Sequence, residues 1–280
     1  PPGYPALLAP LRWAFPDTFV PLQVLSLVAT AAAVGLFYQS CRRRLDTRLA
    51  LLTAIFVGVS VGLVKFSMQV MTEAIYTLIT MAVLVLVDDD ERQQARLRWP
   101  LLIGALATAS YFVRGWGIAL VGGVALHILL RRRWRGIVAF LFPFVLVSLL
   151  WAARNAAYGG AGVSYGMAPG TIGPILERLT HNLPTQLRAH WLTELPEWFF
   201  TSRTPYELGR LHLGFLADLA RPTVLVVLGI GFLAIVRKRL SAAEGYVIAY
   251  AAIMSFAPVN SRYWVPLLPL LAYYFIAGCS

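Results

Sequence analysis

The chain is poor in charge, in acid and in cysteine. Only 13% of its 280 residues are charged, and Lys and Arg outnumber Asp and Glu by 24 to 13. Two cysteines, Cys41 and Cys279, exclude a disulfide framework, and a reduced structural role fits both. Strict alternation over short runs is also missing, which argues against a barrel. Neither an initiator Met nor a signal peptide opens the sequence, which begins Pro1-Pro2-Gly3-Tyr4-Pro5. The chain is therefore expected to be a piece of a longer protein.

What remains is apolar. Hydrophobic residues make up 59% of the chain and the mean hydropathy is +0.69. A soluble fold of this length cannot hide that much apolar surface, so lipid must replace water around most of it. In lipid every backbone polar group needs an internal partner, which leaves helices or closed barrels, and long apolar runs select helices. The expected fold is all-α, a polytopic transmembrane helix bundle. The net charge of +11 does not indicate nucleic acid, because the basic residues cluster between the apolar runs. That placement reports topology.

Nine candidate spans cover 18–40, 49–65, 72–87, 100–113, 116–130, 137–153, 222–236, 244–258 and 263–278. Four basic clusters separate them: Arg42, Arg43, Arg44 and Arg48; Arg92, Arg96 and Arg98; Arg131, Arg132, Arg133 and Arg135; and Arg237, Lys238 and Arg239. Short cytoplasmic loops collect Lys and Arg, so all four belong on one side, with an even number of crossings between neighbours. Hairpins then turn near Lys65–Glu73, at Arg114 and at Pro258–Tyr263. A single helix through 100–130 would bury Arg114 at the bilayer centre, at a cost of at least about 3 kcal/mol. The count starts outside, ends inside, and makes 154–221 one long external loop.

The external ends carry the chemistry: Arg12, Lys65, Glu73, Arg114, Arg154 and Arg262. In the long loop Ile172, Leu176, Leu179, Leu183, Leu187 and Trp191 recur every three or four residues, which predicts an interfacial amphipathic helix. Trp191, Trp198, Tyr165 and Tyr206 read as interfacial anchors or as sugar-stacking platforms. His181 and His190 match no metal-ligand spacing. Gly58 and Gly62 form a GxxxG pair suited to helix packing. Asp88, Asp89, Asp90 and Glu91 read as a solvated loop, and the glycines from Gly115 to Gly123 as part of a membrane helix. Glu73 reads either as a helix cap complementing the dipole or as a functional acid. Arg114 reads as an anchor to lipid phosphate or as the ligand of a bound phosphate, for which its planar fork is suited.

Four segments, in order, resemble the polytopic GT-C class glycosyltransferases, in the branch of protein O-mannosyltransferases and aminoarabinose transferases. They are Pro1-Pro2-Gly3-Tyr4-Pro5-Ala6-Leu7-Leu8, Met71-Thr72-Glu73-Ala74-Ile75-Tyr76, Val113-Arg114-Gly115 leading on to Arg131-Arg132-Arg133-Trp134, and Arg262-Tyr263-Trp264-Val265-Pro266-Leu267-Leu268-Pro269. Arg154-Asn155 at a span exit is similar to a further feature of that family. The long loop matches nothing in it. The resemblance implies transfer of a sugar from a polyprenyl-phosphate carrier to a lipid, glycan or protein acceptor on the non-cytoplasmic face, in a bacterial inner (plasma) membrane. It implies Arg114, Arg262 and Tyr263 at the donor phosphate, Pro2 and Tyr4 on the donor or acceptor groove, and Glu73 as a secondary or positioning acid. The main catalytic acid is expected upstream of Pro1, so the 280-residue chain alone is expected to be inactive. No cofactor is required, although a divalent metal is compatible with this chemistry. Inversion at an anomeric carbon calls for a carboxylate to take the acceptor's proton and cations to steady the leaving phosphate.

Two other classes fit the same composition. A secondary transporter would show internal repeats and polar residues at mid-membrane, whereas here the charges sit at helix ends. A lipid-carrier polymerase or ligase would share the lipid phosphate. A non-catalytic scaffold would tolerate neutral substitution of both Glu73 and Arg114.

Overall fold

A computed structural model describes residues 2–93, 98–157, 185, 187–195, 214–238, 240–255 and 261–279. Among the described residues all regular structure is helical. Eleven α-helices follow in order: α1 (Gly3–Ala14), α2 (Val20–Arg42), α3 (Thr47–Gly58), α4 (Val61–Ser67), α5 (Thr72–Gln93), α6 (Arg98–Val113), α7 (Ile118–Leu130), α8 (Trp134–Ala157), α9 (Gly214–Lys238), α10 (Ala242–Met254) and α11 (Leu268–Cys279). Gly115–Gly117 and Ser261–Trp264 are 3₁₀ turns, and Arg188–Glu194 is a π-helical segment.

Among the described residues three helices are long and apolar enough to cross a membrane: α2, α8 and residues Leu219–Lys238 of α9. Only 11% of the most apolar window of α8 and 17% of that of α9 are buried within the protein. Their apolar side chains point outward, an arrangement that water would penalise and lipid does not.

Local chemistry sets the helix starts. The Asp46 carboxylate accepts from the amides of Arg48 and Leu49 at 2.9 and 3.0 Å and caps α3. Ser241 and Glu244 form a capping box on α10. Inside the bundle, hydroxyls donate to carbonyls one turn back: Thr30 to Ser26, Thr53 to Leu49, Thr77 to Glu73 and Thr108 to Gly104. Each of these four hydroxyls is thereby satisfied within its own helix. The main packing partners are α2 with α5, α5 with α6, α6 with α8, α7 with α10, and α9 with α11. Helices α7 and α10 cross where Gly123 meets Gly245; a Cβ on Gly245 would stand 2.7 Å from the Gly123 carbonyl oxygen.

Several expectations are corrected. The segment 49–65 is not one helix, because it breaks at Val59–Ser60, where Ser60 is extended (φ −60°, ψ 131°) between α3 and α4. A Gly58-Val59-Ser60 step inside a run of β-branched residues is a natural place for a helix to fail. Gly58 and Gly62 therefore lie on two helices and form no continuous GxxxG face. The acidic run is not a loop: α5 continues through it, and both Asp88 and Asp89 are ion-paired. Gly115 and Gly117 lie in a 3₁₀ turn ahead of α7, not in the helix. The last helix begins at Leu268 rather than 263, since Pro266 cannot donate a backbone bond. Helix α9 starts at Gly214, well before 222. Residues 172–184 and 186, with His181, Tyr165, Trp198 and Tyr206, lie outside the described residues, as do Pro1, Arg96, Arg239 and Pro258. Most of the long loop and of its predicted amphipathic helix is among them.

The two ends of the bundle differ. At one end the C-termini of α2 and α5 meet the N-terminus of α10. There Arg43 pairs with Asp89 at 2.8 Å, and Arg44 with Asp88 at 3.1 Å and Glu244 at 3.6 Å. Ser241 and Tyr274 also bond Glu244, whose side chain is fully buried. Burial opposes the charge on Arg44, but Asp88 and Glu244 outweigh it and hold the guanidinium pKa above its ordinary value. The opposite end holds the candidate site.

Candidate functional site

Four helices and two turns converge where α5 begins. Glu73 stands in the first turn of α5 and Arg114 follows the last residue of α6 in extended backbone (φ −151°, ψ 125°). The 3₁₀ turn Gly115–Gly117 then folds tightly back, since a Cβ on Gly117 would fall within 2.6 Å of the Ser110 carbonyl carbon. Only glycine permits that approach. The turn brings Trp116 over the site, and the 3₁₀ turn Ser261–Trp264 brings Arg262 and Tyr263 from the other side.

The centre is a buried carboxylate between two guanidiniums. Glu73 Oε1 lies 3.2 Å from Arg114 Nη1 and 3.9 Å from Arg262 Nε. Thr72 donates to Glu73 Oε2 at 3.3 Å. Glu73 and Arg114 are 1% and 6% exposed, while the Arg262 side chain is 43% exposed. One carboxylate thus serves two cations, and one of the two reaches the surface. Burying such a pair is costly in desolvation, and removing one partner of a buried pair typically costs about 3–5 kcal/mol.

An aromatic column supports the cations. The Arg114 guanidinium lies over the rings of Tyr263 at 5.4 Å and Tyr76 at 5.7 Å, and that of Arg262 over Tyr263 at 5.5 Å. Such contacts add about 0.5–2 kcal/mol each, most where water is excluded. Trp116 stacks on Tyr263 at 4.7 Å and on Tyr250 at 5.1 Å. Tyr250 donates to the Tyr263 carbonyl at 2.8 Å, and Tyr76 to the Trp116 carbonyl at 3.2 Å. The Tyr76 and Tyr246 hydroxyls are 3.3 Å apart.

Helix α1 closes one flank. A Cβ on Gly3 would meet the Phe112 carbonyl carbon at 2.6 Å, so the start of α1 lies against the end of α6 beside Arg114. Tyr4 is half-buried there, and its phenol pKa is pushed up to about 12, chiefly by burial and with help from the Glu73 charge. Pro2, just ahead of it, is the N-cap of α1. The other flank is Trp264, which donates to Glu194 at 3.2 Å, with Trp191 edge-on at 5.3 Å. His190, fully buried, lies 3.6 Å from the same carboxylate.

Of the residues singled out from sequence, the structure brings together Glu73, Arg114, Arg262 and Tyr263, with Tyr4 beside them. Arg114 is buried and is no exposed lipid anchor. Glu73 is more than a cap, because its carboxylate is taken up by the arginines. Arg154 is exposed on α8 over Trp151. Trp116, Tyr76, Tyr246 and Tyr250 were not anticipated, although two signals were present. Tyr76 follows Glu73 by three residues, and Tyr250 follows Tyr246 by four, so each pair shares a helix face. Among the described residues no three His, Cys, Asp or Glu side chains converge as metal ligands. In comparisons with known proteins, no family model, no curated protein and no solved structure matches the chain.

Proposed function

We propose that this chain is a polytopic membrane glycosyltransferase that takes a sugar from a polyprenyl-phosphate donor and passes it to an acceptor at the non-cytoplasmic face. The observation that carries the reading is the convergence of two guanidiniums, Arg114 and Arg262, on the Glu73 carboxylate at one end of the bundle. A phosphate is the anion that such planar forks hold best. As the acceptor oxygen bonds to the anomeric carbon and the bond to the phosphate oxygen breaks, negative charge grows on the leaving lipid phosphate. Arg114 and the more exposed Arg262 neutralise that charge where it develops. The acceptor hydroxyl's proton passes in this proposal to a carboxylate base other than Glu73, which is a positioning residue aiming both guanidiniums.

Membrane topology supports the same reading. The helix ends bearing Arg44, Arg131 and Arg133 adjoin one another, at the end of the bundle opposite Glu73. With basic loops cytoplasmic, the site faces the other compartment. In this proposal nine crossings run from outside to inside, α3 with α4 makes one of them, and 154–221 is external.

The test is binding first and transfer second. In nanodiscs, a polyprenyl phosphate should quench tryptophan fluorescence from Trp116. Arg114→Ala and Arg262→Ala should each weaken binding at least about tenfold, as expected for losing a charge-assisted contact. Tyr263→Phe should bind normally, because the ring is retained. Glu73→Gln should weaken binding less and transfer more. Unchanged binding in both arginine variants, or substrate translocation without transfer, would overturn the proposal.

A further inference from the structure

Two short turns carry the guanidiniums of the Glu73 site. Arg114 leads into Gly115–Gly117, and Arg262 lies within Ser261–Trp264. A single 3₁₀ turn has few and poorly aligned internal bonds, so its position depends on what it packs against. Here one helix, α10, touches both turns.

Tyr246 and Tyr250 stand one turn apart on α10, and both are fully buried. The Tyr250 ring stacks on Trp116 of the first turn at 5.1 Å. Its hydroxyl donates to the Tyr263 carbonyl of the second turn at 2.8 Å. One side chain therefore bridges the two turns, its ring on one and its proton on the other. The first turn has a further tie, because Tyr76 donates to the Trp116 carbonyl at 3.2 Å and its hydroxyl lies 3.3 Å from that of Tyr246. A phenylalanine at 250 would fill the same space without burying a hydroxyl. What the Tyr250 hydroxyl adds is the tie to the Tyr263 carbonyl.

The base of this clamp is itself fixed. Helix α10 opens with the Ser241–Glu244 capping box, Glu244 is bonded by Tyr274 and paired with Arg44, and Gly245 abuts Gly123 of α7.

We infer that Tyr250 is a positioning residue of the phosphate site: it holds the turn bearing Arg262 against the turn bearing Arg114, and so sets the spacing of the two guanidiniums. This role rests on the phosphate reading of the Glu73 site. Both cations reach the same oxygen, Glu73 Oε1, at 3.2 and 3.9 Å. Charge-assisted contacts weaken steeply with misplacement, so a small shift of the Arg262 turn leaves a phosphate on Arg114 alone.

Tyr250→Phe keeps the ring on Trp116 and removes only the hydroxyl. Hydrogen exchange in nanodiscs without ligand reads the two turns directly. The amides of Val265 and Leu267, bonded to the Arg262 and Trp264 carbonyls at 3.4 and 3.0 Å, should exchange about tenfold faster. The Gly117 amide, bonded to the Arg114 carbonyl at 2.8 Å, should keep its rate and so report an intact fold. Binding of a radiolabelled polyprenyl phosphate should weaken about fivefold. In an Arg262→Ala background the same change should cost at most about twofold more, because the residue it positions is gone. A full additive loss there would mean that Tyr250 only packs, and would overturn the role. Unchanged exchange at Val265 and Leu267, or a general rise that includes Gly117, would do the same. Parent binding matched by Tyr250→Phe would overturn the role alone, whereas no binding by the parent protein would overturn the phosphate reading and the role with it.

Discussion

The Glu73 carboxylate and the Arg114 guanidinium, from the start of α5 and the turn after α6, face each other at 3.2 Å with almost no access to solvent. Two charges withdrawn from water cannot be treated singly. Each makes the other tolerable, and their pairing fixes where the α6–α7 turn sits over α5.

That coupling can be measured. Arg114→Ala alone should destabilise the fold by about 3–5 kcal/mol, because it strands a buried carboxylate. Adding Glu73→Gln should restore part of the loss, giving a coupling of about 1–3 kcal/mol in a double-mutant cycle. Unfolding curves in mixed micelles supply the four values. Additive losses would mean that the pair is not a unit.

The other end should separate a buried ion pair from a peripheral one. Arg44→Met leaves the fully buried Glu244 without its cation and should cost about 3–5 kcal/mol. Arg43→Met breaks a pair whose aspartate, Asp89, is 32% exposed, and should cost about 1 kcal/mol or less. Comparable thermal shifts for the two variants would contradict this ranking.

Adjacent glycines in α7 should behave oppositely. A methyl on Gly123 meets the backbone of Gly245 and Tyr246, whereas one on Gly122 meets nothing within 4 Å. Gly123→Ala should cost about 1–3 kcal/mol by forcing α10 away. Gly122→Ala should be neutral or stabilising by up to about 1 kcal/mol, through helix propensity. Thermal melts of the two single variants decide it, and a destabilised Gly122→Ala would refute the packing of this face.

Individual residues show where the sequence spoke and where it was silent. The all-helical class was legible, because backbone bonding in an apolar chain leaves few other solutions. The basic residues Arg44 and Arg131, set between apolar runs, marked helix ends before any packing was known. Glu73, Arg114, Arg262 and Tyr263 stood out as charged or aromatic residues at helix ends. The acidic run, in contrast, misled: Asp88 and Asp89 look solvated in sequence, and only the approach of α2 supplies Arg43 and Arg44 as partners. The break at Val59–Ser60 and the late start at Leu268 likewise depend on how neighbouring helices take up the freed backbone.

By itself, then, the sequence determined the kind of structure and which residues lie at its ends. These follow from local terms: apolar length, backbone hydrogen bonding and the cost of charge in lipid. Tertiary structure decided that Glu73 sits between Arg114 and Arg262, that Trp116 and Tyr250 stack behind Tyr263, and that Gly123 admits α10. Those relations join residues far apart in the chain, and no local preference encodes them. They arise because buried charges and close-packed helices have very few arrangements that leave nothing unpaired.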